Sequence, residues 1–378
     1  MSTSDPDGPT PDQTAGAPHP RDTARLLGQD AAEQEFLRAF ASGRMHHGWM
    51  LTGPKGVGKA TLAYRIARFL LATPLIQDDD MFGAPTPPDT LDIDFEHPVA
   101  RRIQARAEPG LKTVIRSLTD TGRLSDMIRA DDIRALNSFF GLSATDGGRR
   151  VVIVDAADEM NTQAANALLK MLEEPPANTT LLLIAHQPSR LLPTIRSRCR
   201  TLRLNALSPS DMAAALEQAG HDPVEGAEAL ALSQLSGGSV GTALRLMHLD
   251  GLKLYADLVT LLATLPQFDR SRARALADSV AGPRNADRLA LIFDLIDLAL
   301  TRLARAGASG TSLPEAAPGE AQTFARLAPD ARAARVWADA AAHISARARH
   351  GLAVNLDPAA LVLDTVFSIA KTAEPLPT

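Results

Sequence analysis

Residues 49–61 read Trp-Met-Leu-Thr-Gly-Pro-Lys-Gly-Val-Gly-Lys-Ala-Thr, and the reading of this stretch decides the fold. Trp49–Thr52 has the apolar content of a buried strand, and Gly53, Gly56 and Gly58 follow at once. Beyond Thr61, Leu62, Ile66, Phe69 and Leu70 recur at i, i+4, i+7 and i+8, one face of a helix. A strand running through a glycine loop into a helix is the setting in which G-x-x-x-x-G-K acquires structural meaning. Such glycines let the backbone curl so that its N–H groups, with the helix N-terminus, face a phosphate. Lys59 would supply the point charge for the outer phosphates.

The loop is incomplete. The full pattern ends in Ser or Thr, whose hydroxyl ligates Mg²⁺, and that position is Ala60. Thr61 stands about 100° further round the helix and is a poor substitute. The second acidic element points the same way. Val151–Asp155 is an apolar strand ending in an acid able to hold Mg²⁺ directly or through water, but Ala156 follows where hydrolysing proteins of this kind carry a glutamate. Asp158 and Glu159, three and four residues past Asp155, read as cap and surface charges. Nucleotide binding without efficient hydrolysis and a loop kept only for the fold both remain open.

Outward from the loop, strands are expected at Val151–Asp155, Thr180–Ala185 and Thr201–Leu204, alternating with helical periods. Asn161 is expected to cap a helix burying Ala165, Leu168, Leu169 and Leu172, stopped by Pro175 and Pro176. Asp131 or Asp132 opens another, carrying Ile133, Leu136 and Phe140 and ending at Gly141. The result is an α/β core, a parallel sheet with helices on both faces. Pro74 to about Pro109, rich in Pro and Asp, reads as a surface insertion. Strands then give way to helices. The divisions expected are a disordered tail (1–22), a core (23–206), a small helical lid (207–250) and an all-helical C-terminal domain (251–378).

Composition bounds the partners. Of 378 residues 45% are hydrophobic and 22% charged, and no run approaches the roughly 20 apolar residues of a membrane span. The Pro-rich, acidic N-terminus lacks the charged start and apolar centre of a signal peptide, so a cytoplasmic location is expected. A net charge of −5 argues against a stand-alone DNA-binding repair factor, which would need a basic surface. Arg101, Arg102, Arg106, Lys112, Arg116, Arg123, Arg129 and Arg134 form a basic stretch without interleaved aromatics, read as a solvated face. Cys199 is the only cysteine, and it reads as a small core residue rather than a reactive thiol.

Asn166–Pro176 (NALLKMLEEPP) and Leu191–Cys199 (LLPTIRSRC) give the chain a specific likeness: it resembles the clamp-loader AAA+ family. The segments DDIRALNSFF (131–140) and GGRRVVIVDAADEMN (147–161) resemble its delta-prime branch more than its ATPase branch. The likeness covers about Arg25 to Leu249 and implies an AAA+ core, a lid and an oligomerising collar. It makes Arg198, in Ser197-Arg198-Cys199, an arginine finger reaching nucleotide on a neighbouring subunit, a role suited to a planar, permanently charged guanidinium; the alternative is a structural ion-pair partner. Arg196 and Arg200 beside it read as surface charges. Gly53, Gly56, Gly58, Lys59, Thr61 and Asp155 would form a degenerate nucleotide site. At GGSVGTAL (237–244), Gly241 replaces the family's sensor 2 arginine, and sensor 1 falls near Ala185–His186 without a clear Thr, Ser or Asn.

The implied partners are clamp-loader ATPase subunits, a delta-type wrench subunit and, through the complex, the sliding clamp and primed DNA; no membrane is implied. No cofactor is required, although ATP or ADP bound without hydrolysis is compatible. The family's four-cysteine zinc module has no counterpart in Leu71–Arg150, and Asp78, Asp79, Asp80 and His97 lack metal-site spacing, so no zinc or other metal is expected. The implied function is a non-catalytic subunit of the bacterial DNA polymerase III clamp loader. The alternative is an active DNA-stimulated AAA+ ATPase, which Gly58-Lys59 and Asp155 favour and Ala60, Ala156 and Gly241 oppose.

Overall fold

Five short, β-branched and leucine-rich runs pair into one wholly parallel sheet: β1 (Gly48–Thr52), β2 (Leu111–Val114), β3 (Arg150–Asp155), β4 (Thr179–Ala185) and β5 (Arg200–Arg203), in the order β2-β3-β4-β1-β5. The computed structural model describes residues 12–14, 16–43, 45–74, 88–119, 124–141, 148–282, 285–311 and 313–374. Asp78, Asp79, Asp80 and Arg123 lie outside them, as do residues 1–11 of the expected tail.

The central strands are buried on both faces, as parallel strands covered by helices must be. Alternation sorts their side chains into two cores. Trp49, Leu51, Val151, Ile153, Leu182 and Ile184 pack with helices α1 (Asp30–Ala41), α2 (Lys59–Ala72) and α3 (Pro98–Gln104). Met50, Val152, Val154, Leu181, Leu183 and Ala185 pack with α4 (Ala130–Gly141), α5 (Thr162–Glu173) and α6 (Pro193–Arg196). Asn161 caps α5, its side chain accepting from the Ala164 N–H at 2.8 Å. The helices that follow are α7 (Pro209–Gln218), α8 (Gly226–Ser236), α9 (Val240–His248), α10 (Gly251–Ala263), α11 (Arg270–Asp278), α12 (Ala286–Ser309), α13 (Glu320–Leu327), α14 (Ala331–Ala353) and α15 (Pro358–Thr372).

The chain divides into two compact units, Met1–His221 with Ser239–Gly241, and Asp222–Gly238 with Thr242–Thr378. Among the described residues the second is all-helical and carries a buried polar knot. Glu320, 1% exposed, accepts from Tyr255 Oη (2.6 Å), Arg302 Nε (2.7 Å) and Nη2 (3.2 Å), and the Ala316 N–H (2.5 Å). No helix among the described residues is long and apolar enough to cross a membrane.

Three expectations need correcting. The stretch read as a surface insertion contains α3, with Pro98 in its first turn and His97 accepting from the Val99 N–H, and it buries Leu91, Val99 and Ile103. Strand β2 was not anticipated, because only Val114 of its four residues is fully buried. Part of the expected tail is ordered: Pro20–Asp22 form a 3-10 turn, and His19 and Arg21 are buried. Polar anchoring, rather than an apolar pattern, holds that segment.

Candidate nucleotide site

The carboxyl ends of β1, β3 and β4, where open α/β sheets bind ligands, bring the phosphate loop, Asp155 and His186 together. Gly53 leaves β1 at φ 139°, and a Cβ there would lie 2.3 Å from the Leu204 carbonyl oxygen, so no larger residue fits. Gly56 has φ 78°, and its Cβ would meet Ser239 Oγ at 2.4 Å. Gly58 precedes Lys59, the first residue of α2. Lys59 is buried and turned back on its own loop, donating from Nζ to the carbonyls of Gly53 (2.8 Å) and Pro54 (2.5 Å). Burial pushes its amine down to about 8, against the opposing pull of Asp155 and Asp158.

Asp155 ends β3 half-buried; burial, then the charges of Asp12 and Glu159, push its carboxyl up to about 7. Ala156, 3% exposed, offers no group to polarise water. The two nearby acids are engaged elsewhere. Asp158 accepts from the backbone N–H of His186 (3.0 Å) and Gln187 (2.8 Å), tying the β3 and β4 exits together, while Glu159 pairs with Arg116 at 3.0 Å. His186 itself is pushed down to about 4, by burial first and then by Lys59. Ala60 and Thr61 occupy the first turn of α2, with Thr61 buried.

The segment expected to hold sensor 2 sits on the loop. Ser239 Oγ donates to the Lys55 carbonyl at 2.8 Å, and the Gly241 N–H donates to the Gly56 carbonyl at 3.0 Å. A Cβ on Gly241 would lie 3.0 Å from Gly56 Cα, so this backbone contact leaves almost no room for an arginine there. The sequence shows the missing arginine; the role of Ser239 had no sequence signal.

Arg198 stands at the other end of the sheet. It follows α6 and precedes β5, and its carbonyl oxygen lies 3.1 Å from where a Gly48 Cβ would be, at the start of β1. Four residue steps at about 3.3 Å separate Gly48 from Thr52, so roughly 13 Å of strand lies between this edge and the chain's own phosphate loop. Its side chain, 38% exposed, donates to the Thr194 carbonyl (3.1 Å) and pairs with Glu173 (3.0 Å). Arg200 pairs with Glu35 at 3.3 Å. Cys199 is half-buried and its thiol is pushed up to about 12 by desolvation. In the basic stretch, Arg101 pairs with Glu96, Arg102 with Glu108 and Arg134 with Asp131, as a solvated charged face would.

A five-stranded parallel sheet with a glycine loop between β1 and α2, and an acid at the end of β3, beyond β4, defines a P-loop core of the AAA+ class. Comparison with known proteins narrows the class. Residues 28–208 match the family described as DNA polymerase III, delta subunit. The chain is 40% identical over 224 residues to DNA polymerase III subunit delta' of Pseudomonas aeruginosa, covering 58% of this chain and 62% of that one. It is 31% identical over 231 residues to the delta' subunit of Escherichia coli, covering 61% and 63%. The chain thus spans less than two thirds of the length of these relatives. Over the matched residues it is similar to the delta' subunits of DNA polymerase III.

Proposed function

We propose that the chain is a non-catalytic AAA+ subunit of a bacterial DNA polymerase III clamp loader. In this reading it assembles with ATPase subunits and a delta-type subunit, its C-terminal helices join a collar, and the complex places the sliding clamp on primed DNA. One observation carries the reading. The chain's own site lacks the metal-binding hydroxyl (Ala60), the water-polarising acid (Ala156) and the sensor arginine (Gly241), while Arg198 projects about a strand's length away, where it cannot serve that site. A guanidinium so placed, paired in this chain with Glu173, can reach a phosphate only if another chain brings it.

Arg198→Ala should leave assembly intact and lower the clamp-dependent ATPase of the reconstituted complex. Loss of an arginine finger costs about 10³-fold or more at the site served, diluted in bulk turnover by any sites that do not use Arg198. Unchanged turnover in a fully assembled complex would remove the assignment. The second reading, a DNA-stimulated ATPase, draws on the intact glycine loop, Lys59 and Asp155. Mg-ATP hydrolysis by the purified chain with primed DNA, abolished by Lys59→Ala, would establish it; background turnover would exclude it.

A further inference from the structure

The residues ahead of the family match, which begins at 28, bear on the phosphate loop in a way its own defects do not require. They are fastened at their C-terminal side. His19 Nδ1 accepts from the Arg21 backbone N–H (3.1 Å) and from Arg21 Nε (3.0 Å), so the ring proton sits on Nε2 and is donated to Asp12 Oδ2 at 3.0 Å. Both side chains of that pair are only 5% exposed. The His19 ring meets Tyr64 of α2 edge-on at 5.7 Å. From the same helix, Arg68 donates to the Arg21 carbonyl (2.7 Å) and Arg65 to the Ala24 carbonyl (3.0 Å).

So anchored, the segment reaches the mouth of the loop. A Cβ on Gly241, whose N–H is bonded to Gly56, would lie 3.4 Å from Thr14 Oγ1. The Gly16 carbonyl accepts from His221 at 3.4 Å. Leu26 closes the far side, where a Cβ on Gly58 would meet its Cδ1 at 2.5 Å. Asp12, at the other end, lies close enough to Asp155 for its charge to help hold that carboxyl protonated. The segment therefore runs past Gly241, which is bonded to the loop at Gly56, and carries Asp12 near enough to Asp155 for its charge to be felt, on the side from which a nucleoside polyphosphate would approach.

We propose that residues 12–14 and 16–21 form a plug acting in cis, competing with a nucleoside di- or triphosphate for the phosphate loop of the same chain. A tethered competitor acts at a high effective concentration, and a ligand that needs the open form sees its affinity reduced by the fraction open. Two changes open the site: deletion of residues 2–17, and Asp12→Ala with His19→Ala, which cuts the clasp at full length. The inference rests on reading residues 53–61 as a phosphate loop but not on any role of Arg198.

The test is titration of fluorescent MANT-ADP into the unmodified chain and both opened forms, each with and without Lys59→Ala. The opened forms should bind at least about tenfold more tightly, and Lys59→Ala should abolish the gain. Equal affinity in all forms, including no binding by any, overturns the plug, as does a gain that survives Lys59→Ala. If the deletion prevents folding, the clasp variant carries the test. Hydrogen exchange on the unmodified chain supplies a second readout: saturating ADP should speed exchange at the Arg21 and Asp22 amides, and bound ADP with unchanged protection there refutes the proposal. Binding gained without turnover would leave the clamp-loader reading intact.

Discussion

Replacing Glu320 with alanine tests whether the C-terminal helical unit depends on its buried polar knot. The substitution removes the acceptor of four hydrogen bonds and strands Arg302, itself 6% exposed, without its counter-charge. Breaking a buried ion pair by deleting one partner costs about 3–5 kcal/mol. With a urea dependence on the order of 2 kcal/mol per M, the unfolding midpoint should fall by roughly 2 M. Trp49 and Trp337 are the only tryptophans, so a Trp49→Phe background makes Trp337, in α14 and bonded to the Leu327 carbonyl at 2.8 Å, the sole reporter of this unit. Adding Arg302→Met to Glu320→Ala should restore more than half of the loss, because the dominant cost is the unpaired guanidinium rather than lost packing. A midpoint shift below about 0.5 M, or losses that simply add in the double variant, would refute the reasoning.

Asp155 and Lys59 give stability a pH signature. The folded Asp155 carboxyl holds its proton up to about 7 against an ordinary 3.8, so the native state binds a proton that the unfolded chain has released, and stability falls as pH rises between those values. Lys59, pushed down to about 8 from 10.5, acts oppositely: between those values the unfolded chain binds the extra proton, and stability rises with pH. In urea midpoints measured from pH 5 to pH 9, the advantage of Asp155→Asn over the natural chain should therefore widen until about 7 and then level; a flat difference would refute the assignment. The Cys199 thiol, pushed up to about 12 by burial, should resist Ellman's reagent in the native chain and react at once in urea. Prompt native labelling would show that its environment is open.

The core was legible where one strong signal dominates. Leu62, Ile66, Phe69 and Leu70 announce α2, three glycines announce the loop, and Asn161 announces α5. The departures from the nucleotide-site pattern were equally plain, because Ala60, Ala156 and Gly241 stand at its fixed positions. What escaped depends on partners far away in sequence. Strand β2 lies at the sheet edge beside β3 and exposes Lys112, so its alternation is weak. Helix α3 has seven residues, too few for a period to stand out. Residues 21–24 are held by arginine-to-carbonyl bonds from α2, and a carbonyl acceptor leaves no trace in the choice of side chain. The closeness of Gly241 to Gly56 is a contact between backbones and has no sequence signature beyond the two glycines themselves.

Strand β1 has a mechanical consequence. Its five residues are all buried, with hydrogen-bonded strands on both sides, so it is among the stiffest parts of the chain. One end abuts the Arg198 carbonyl and the Cys199 sulfur at Gly48; the other becomes the phosphate loop at Gly53. A rod clamped on all sides cannot absorb displacement by bending. Its ladder bonds also resist sliding, so whatever displaces the turn at Arg198 has to carry β4 and β5 along with β1 before the loop moves. The charge of the Ser-Arg-Cys turn and the most confined lysine of the core thus stand beyond opposite ends of one buried strand, and the sheet moves as a plate rather than as a set of separate rods.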